Sequence, residues 1–287
     1  MTFNLKKSSI TTIIQDFTGV YAEQPFMQKL REYATWLDCT QIDGTDCYCD
    51  DEAQAAINKM INIAAAVPDA NAAFKFGIHF FDNGNYHYMS KLWTDRVQEP
   101  FDLVVFDHHP DMQPPRFEGI LSCGGWVKEV LEQNKFAQSA MLIGVKDSLV
   151  DEIREDFSAS NNAAILDKVK FICESELDSI VSVTLERSDK VQNNRPLYIS
   201  IDKDALSTNE AATNWDQGSL TFEQLTSALE ILVQNRDILG IDICGERARD
   251  MGFDDTAAAD AQNNSLNEKL YNILTSLAER RCPLTRT

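Results

Sequence analysis

An apolar run, Val104-Val105-Phe106, ends abruptly in Asp107-His108-His109-Pro110-Asp111. In extended backbone successive side chains alternate, so Asp107, His109 and Asp111 share one side while His108 takes the other. Two carboxylates and an imidazole meeting at the mouth of a buried strand are costly unless a cation sits between them. A divalent metal is the natural occupant. A second apolar run, Leu197 to Ile201, ends in Asp202-Lys203-Asp204. A third, Gly77-Ile78-His79-Phe80-Phe81, leads through a Gly turn to His87.

Simpler readings compete for single members of this set. An acidic residue at a strand end often caps the next helix, and Asp204 alone fits that description. His79 lies within an apolar strand and reads as a satisfied core residue, and His108 as a packing or supporting group. An EF-hand over residues 202–213 fails, because the sixth position is Ser207 and no Glu closes the loop. Cys47-Tyr48-Cys49 lacks the second half that a structural zinc site needs.

The elements that must position these groups alternate in type. Strands are expected at Thr11–Ile14, Phe74–Phe81, Leu103–Phe106, Ala140–Gly144, Val169–Ile172, Leu197–Ile201 and Ile238–Ile243. Amphipathic helices are expected at Phe26–Leu37, Asp51–Ala66, Val127–Asn134, Phe222–Val233 and Ala261–Glu279. Thr221 with Gln224 forms a helix-start signal. Strands apolar on both faces and separated by helices imply a parallel sheet covered on both sides. Ligands bind such sheets beyond the carboxyl ends of the strands, where every suspected cluster falls.

The 287 residues carry no repeat, low-complexity tract or long linker, so one domain over 1–287 is expected. A formal charge of −19 argues against nucleic acid and against an anionic membrane surface. The 7 cysteines are odd in number and scattered, and the chain start lacks a signal-peptide core. A reducing cytoplasm is the expected location.

Three segments together resemble the ureohydrolase superfamily of arginase, agmatinase and formimidoylglutamase. Asp107-His108-His109-Pro110-Asp111 matches its Asp-x-His-x-Asp, and Ser200-Ile201-Asp202-Lys203-Asp204 its Ser-x-Asp-x-Asp. Asn83-Gly84-Asn85-Tyr86-His87-Tyr88 is loosely similar to its Gly-Gly-Asp-His-Ser. Leu142 to Asp147, and Gly218 to Thr221 leading into a helix, add support. The resemblance implies an arginase-like α/β fold, a three-layer α-β-α sandwich around a mainly parallel sheet. It implies two manganese ions, one held by His87, Asp107, Asp111 and Asp202, the other by His109, Asp107, Asp202 and Asp204. Carboxylates mixed with imidazole suit manganese, with zinc or iron as competitors. The implied activity is hydrolysis of a non-peptide C–N bond in a small guanidino, amidino, formimino or amide compound. Asp111 would orient the attacking water. Relatives that assemble as trimers or hexamers imply a possible homo-oligomer.

Three departures shape the substrate expectation. The family glutamate that receives the substrate's cationic group falls at Gly245, with Glu246 one position later. Such a shift turns an extended side chain to the other face unless a bulge compensates, and with that compensation Glu246 serves as the catalytic and substrate-binding carboxylate. The arginase shuttle histidine is replaced by Ser122-Cys123-Gly124-Gly125-Trp126, where Cys123 is a proton donor or a packed thiol. The usual Pro-rich loop is Ala211 to Gln217. Residues 43–49 could border the pocket, and Arg247 and Arg249 could bind a substrate carboxylate. Arginase proper is therefore disfavoured relative to an amidine, formimino or amide hydrolase. The rival readings are a single-zinc deacetylase-like amidohydrolase and a non-catalytic metal-binding protein.

Overall fold

The computed structural model describes residues 10–64, 74–114, 117, 119–160, 162–189, 194–234, 236–248 and 257–279. Ten strands occur in chain order: β1 Thr12–Asp16, β2 Thr35–Asp38, β3 Tyr48–Cys49, β4 Phe74–Phe80, β5 Phe101–Phe106, β6 Leu121–Ser122, β7 Ala137–Val145, β8 Val169–Cys173, β9 Leu197–Asp202 and β10 Ile238–Cys244. Eight of them form one sheet ordered β2-β1-β4-β10-β9-β5-β7-β8, and every pairing in it is parallel. β3 and β6 make a small antiparallel ladder apart from it.

The central strands β5, β9 and β10 are buried at every residue, as strands covered on both faces must be. Strand alternation divides their side chains between two cores. Val104 and Phe106 join Leu225 and Leu229 of the helix Phe222–Val233 and Leu266 and Leu270 of Ala257–Glu279. Leu103 and Val105 pack on the other face with Ile57 and Ile61 of Asp51–Ala64 and Val127 and Val130 of Trp126–Gln133. The fold is a three-layer α-β-α sandwich. The helix at Phe222 starts on a reciprocal box, with Gln224 N donating to Thr221 Oγ1 at 3.1 Å and Thr221 N to Gln224 Oε1 at 2.9 Å.

One expected helix is corrected. Residues 26–37 are helical only as Pro25–Leu30, and Thr35–Asp38 instead forms the edge strand β2 against β1. The Thr-Trp-Leu run favours a pleated surface, and pairing with β1 outweighs its helical spacing. The last two residues of the expected helix 51–66 lie outside the described residues.

Candidate metal centre

The four adjacent strands β4, β10, β9 and β5 deliver their carboxyl ends to one crevice. His87 arrives from β4 through a single helical turn, Gly84–Tyr86, capped by Asn83, whose side chain accepts from Asn85 N at 2.8 Å. Asp202 and Asp204 come from the end of β9, and Asp107 to Asp111 follow β5. The convergence of Asp107, His109 and Asp111 has a different cause from strand alternation. The chain turns immediately after Phe106: His109 N donates to Asp107 Oδ1 at 2.6 Å, and Asp111 takes the left-handed φ of 49°. The turn folds three side chains into one place that an extended segment would have spread along a line.

His87 Nε2 lies 2.8 Å from Ser200 Oγ, which is 2.9 Å from Ser90 Oγ. With the ring proton assigned to that hydrogen bond, the Nδ1 lone pair faces Asp111 Oδ2 at 3.0 Å, Asp107 Oδ2 at 3.1 Å and Asp202 Oδ2 at 3.5 Å. Acceptor opposes acceptor, which only a cation or a shared proton relieves. His109 repeats the pattern. Its Nε2 lies 3.0 Å from Asp216 Oδ1, and its Nδ1 faces Asp204 Oδ2 at 3.0 Å and Asp107 Oδ1 at 3.5 Å. Asp107 therefore spans both histidines. Donor atoms of His87, Asp107 and Asp111, and separately of Asp107, His109 and Asp204, lie within 4.8 Å of one another. Asp202 is less symmetric: Oδ2 faces His87, while Oδ1 accepts from Asp204 N at 2.9 Å.

Burial, reinforced by mutual repulsion, shows in the proton affinities. Burial, then Asp204, pushes the Asp202 carboxyl up to about 7, and burial with Asp107 pushes Asp204 to about 6. Burial alone would lower His109, but Asp107 and Asp204 raise it to about 12. His87 is likewise lifted well above its ordinary value, with Cys244, Asp107 and Asp111 overcoming burial. Protons are drawn in where cations would otherwise neutralise the cluster. The donor set fits divalent ions.

A cavity of about 130 Å³ opens onto these groups; beside them it is lined by Gly84, Pro110, Gln113, Cys123, Gly124 and Trp215. Trp215 forms a wall, its Nε1 donating to Asn85 Oδ1 at 2.9 Å while Asn85 Nδ2 donates to Asp46 Oδ1 at 2.7 Å. The 43–49 loop thus buttresses the pocket from behind. Cys123 lines the cavity, but the hydrogen bond with Cys47 and then burial push its thiol far up, which makes it a poor acid.

Glu246 is a correction. It is fully buried, and it does not line the cavity. Its carboxylate pairs with the equally buried Lys203 and accepts from Asn267 Nδ2 at 2.7 Å and Gln24 Nε2 at 2.9 Å. Its side chain turns into the helical layer and pairs with Lys203 instead of facing the cavity, unlike the expected substrate-facing position. Nor can a side chain stand at Gly245. Its φ is 92°, and a Cβ there would lie 2.4 Å from Asp202 Oδ1 and 2.7 Å from Lys203 N. Arg247 is half-buried and outside the cavity lining, and Arg249 lies outside the described residues. His79 is a core residue, 2.7 Å from Asp242 and stacked on Trp93. His108 points away from the cavity toward Asp216, at 3.6 Å.

Sequence reasoning missed Asp216 and Cys244 as neighbours of the cluster and named Ser200 only as a motif position. Asp216 sits in the loop that replaces the Pro-rich stretch, and loop position carries no periodic signal. Cys244 is the register partner of Asp202, a relation visible only once β9 and β10 are known to be adjacent.

A model of the arginase family matches residues 77–261 of this chain. An uncharacterized protein of Thermotoga maritima is 27% identical over 233 residues, which cover 81% of this chain and 78% of that protein. Among solved structures, a proclavaminate amidino hydrolase from Streptomyces clavuligerus superposes with a TM-score of 0.64 at 13% identity, covering 94% of this chain and 92% of that one. An arginase from Bacillus subtilis gives 0.62 at 13% identity, with 93% and 98% covered. A hypothetical agmatinase from Burkholderia thailandensis gives 0.60 at 14% identity, with 97% and 88% covered. At such identities the likeness speaks for the fold.

Proposed function

The chain belongs to the arginase family, and we propose that it is a hydrolase of non-peptide C–N bonds built on a two-metal centre, with residues 1–287 as one arginase-like domain. One observation carries the proposal. Asp107 places one oxygen 3.1 Å from His87 Nδ1 and the other 3.5 Å from His109 Nδ1, so a single carboxylate serves two neighbouring ion positions. In this reading His87, Asp107, Asp111 and Asp202 hold one ion, and His109, Asp107, Asp202 and Asp204 the other. Manganese is the first candidate, with zinc or iron as competitors. When bound, two such ions supply Lewis acidity that makes a shared water nucleophilic near neutral pH.

The protein's own groups do the rest. Asp111, held by Trp126 Nε1 at 2.7 Å, orients the attacking water. His87 and His109 are fixed in rotation by Ser200 and Asp216. Trp215, Gln113 and Gly124 bound the space where a planar substrate carbon would lie. With Gly245 unable to carry a side chain and Glu246 paired with Lys203, no carboxylate among the described residues stands where the arginase-type guanidinium receptor is expected. That favours a small amidine, formimino or amide substrate.

The test is elemental analysis of the purified protein, followed by assays for released urea, ammonia, formamide and acetate. About two ions per chain and release of formamide or ammonia are expected. A single zinc with acetate release would instead indicate the deacetylase-like chemistry. Tight metal binding with no turnover across the panel would indicate a binding protein.

A further inference from the structure

Cys244 ends β10 in register with Asp202 at the end of β9, so their side chains emerge beside each other at the same sheet edge. The thiol is buried, and its sulfur lies 3.1 Å from Asp202 Oδ2, the oxygen that also faces His87. Donor atoms of His87, Asp202 and Cys244 fall within 4.8 Å of one another, as those of the two oxygen-rich groups do. Ligands held about 2.0–2.3 Å from a common ion stand roughly 3–3.7 Å apart, depending on coordination geometry. The separations of 3.0, 3.1 and 3.5 Å around His87 Nδ1, and of 3.1 Å from Asp202 to sulfur, have that spacing.

We propose that Cys244 is a sulfur ligand of the ion at the His87 position, and that this position takes a thiophilic metal, zinc or iron, in preference to manganese. The His109 position, built from His109, Asp107 and Asp204, remains a hard site. The two positions thereby differ in kind. On coordination the thiol proton passes to solvent and sulfur binds as thiolate. The inference rests on the two-metal reading above and refines which ion fills one half.

Cobalt(II) is the probe, because thiolate coordination gives it an intense near-ultraviolet charge-transfer band that oxygen and imidazole ligands do not. Metal-free full-length protein titrated with cobalt is expected to bind two ions and to show the band on filling one of them. Cys244→Ser should abolish the band, and Cys123→Ser, at the cavity wall, should leave it. Competition between zinc and manganese should shift toward manganese by about tenfold or more in Cys244→Ser. X-ray absorption at the zinc edge of the unaltered protein counts sulfur neighbours without any variant, and one is expected. Two bound ions with no band and no sulfur neighbour would overturn the proposal and leave the two-metal reading standing. One ion with the band would support Cys244 and overturn the second site. Absence of binding would overturn both.

Discussion

Two acidic clusters lie at the carboxyl ends of neighbouring strands, and their difference separates a metal site from buried charge. At the ends of β1 and β4, Asp82 accepts from the backbone N–H groups of Phe17 at 2.9 Å, Thr18 at 2.8 Å and Asn83 at 2.9 Å, and from Thr18 Oγ1 at 2.8 Å. Asp16 beside it accepts from Gly19 N at 2.8 Å. Both oxygens of Asp82 are met by donors from the backbone and from Thr18. At the ends of β5 and β9 the donors run short. Asp107, Asp202 and Asp204 each have one oxygen anchored by a backbone N–H, from His109, Asp204 and His108 respectively. The other oxygen of each is aimed at an imidazole nitrogen, and that of Asp202 also accepts from Cys244 Sγ at 3.1 Å. The Asp82 carboxylate is satisfied by the protein's own donors, whereas on the two-metal proposal the second cluster is completed by ions. A count of carboxylates does not distinguish them; the donor balance does.

The sharpest way to break this comparison is to remove one carboxylate from each cluster. Asp107→Ala deletes the group shared by both ion positions and should cost both ions and at least about 10³-fold in turnover, since a Lewis-acid metal supplies several kcal/mol. Asp82→Asn should keep two ions per chain. Elemental analysis beside the product assay reads both, and a metal-replete Asp107→Ala protein would sink the two-site account. A third buried carboxylate, Glu246, is balanced by Lys203 in place of backbone donors. Lys203→Met leaves it uncompensated and should cost about 3–5 kcal/mol of stability by urea unfolding. Adding Glu246→Leu to Lys203→Met should restore much of the loss, because no lone charge then remains. Failure of the double variant to recover would mean that Glu246 does more than balance Lys203.

This contrast also marks what the amino-acid sequence can disclose. The strand ends, the central sheet and the six residues that converge on the crevice were legible, because uniformly apolar runs ending in Asp or Gly turns carry both signals at once. The capping box at Thr221 was legible for the same local reason. The donor balance was not, since the groups satisfying Asp82 come from a segment more than sixty residues away. Alternation along one strand suggested why Asp107, His109 and Asp111 converge, yet a tight turn with a left-handed Asp111 achieves it. The displacement of Glu246 could be read from spacing, but not its partner Lys203, which lies between two aspartates and is fully buried. The edge strand Thr35–Asp38 was hidden because its spacing continued a helical pattern, and only pairing with β1 decides against it.

Within the incomplete cluster, supporting groups should matter less than the ligands themselves. Asp216 is mostly exposed, and its contribution is to hold the far nitrogen of His109 at 3.0 Å, so that Nδ1 presents its lone pair inward. Asp216→Asn keeps the shape and weakens that hold. A loss of about tenfold in affinity for the more weakly bound ion is expected from competition with a chromophoric chelator. Unchanged affinity for both ions would show that packing against Trp215 orients the ring sufficiently without Asp216.

The smallest effect is one of pH, and it resolves the two clusters from each other. Asp82 and Asp202 are raised to about 7, and Asp16 and Asp204 to about 6, in each case chiefly by burial. A carboxyl whose folded pKa lies above its unfolded value binds its proton more tightly when folded. The stability this confers is complete below the unfolded pKa and drains away as pH rises through the folded values. His87 and His109, also raised, act in the same direction above their unfolded pKa. Metal-free protein should therefore melt at a lower temperature at pH 8 than at pH 6. Ions compete with protons for Asp202, Asp204 and the histidines, so metal binding strengthens as pH rises. The gap in melting temperature between loaded and metal-free protein should widen from pH 6 to pH 8. Asp16 and Asp82 titrate alike in both forms and cancel from that gap, so Asp82→Asn should flatten the metal-free profile while leaving the gap intact. A gap that stays constant with pH would mean that the protons and the ions do not share a site.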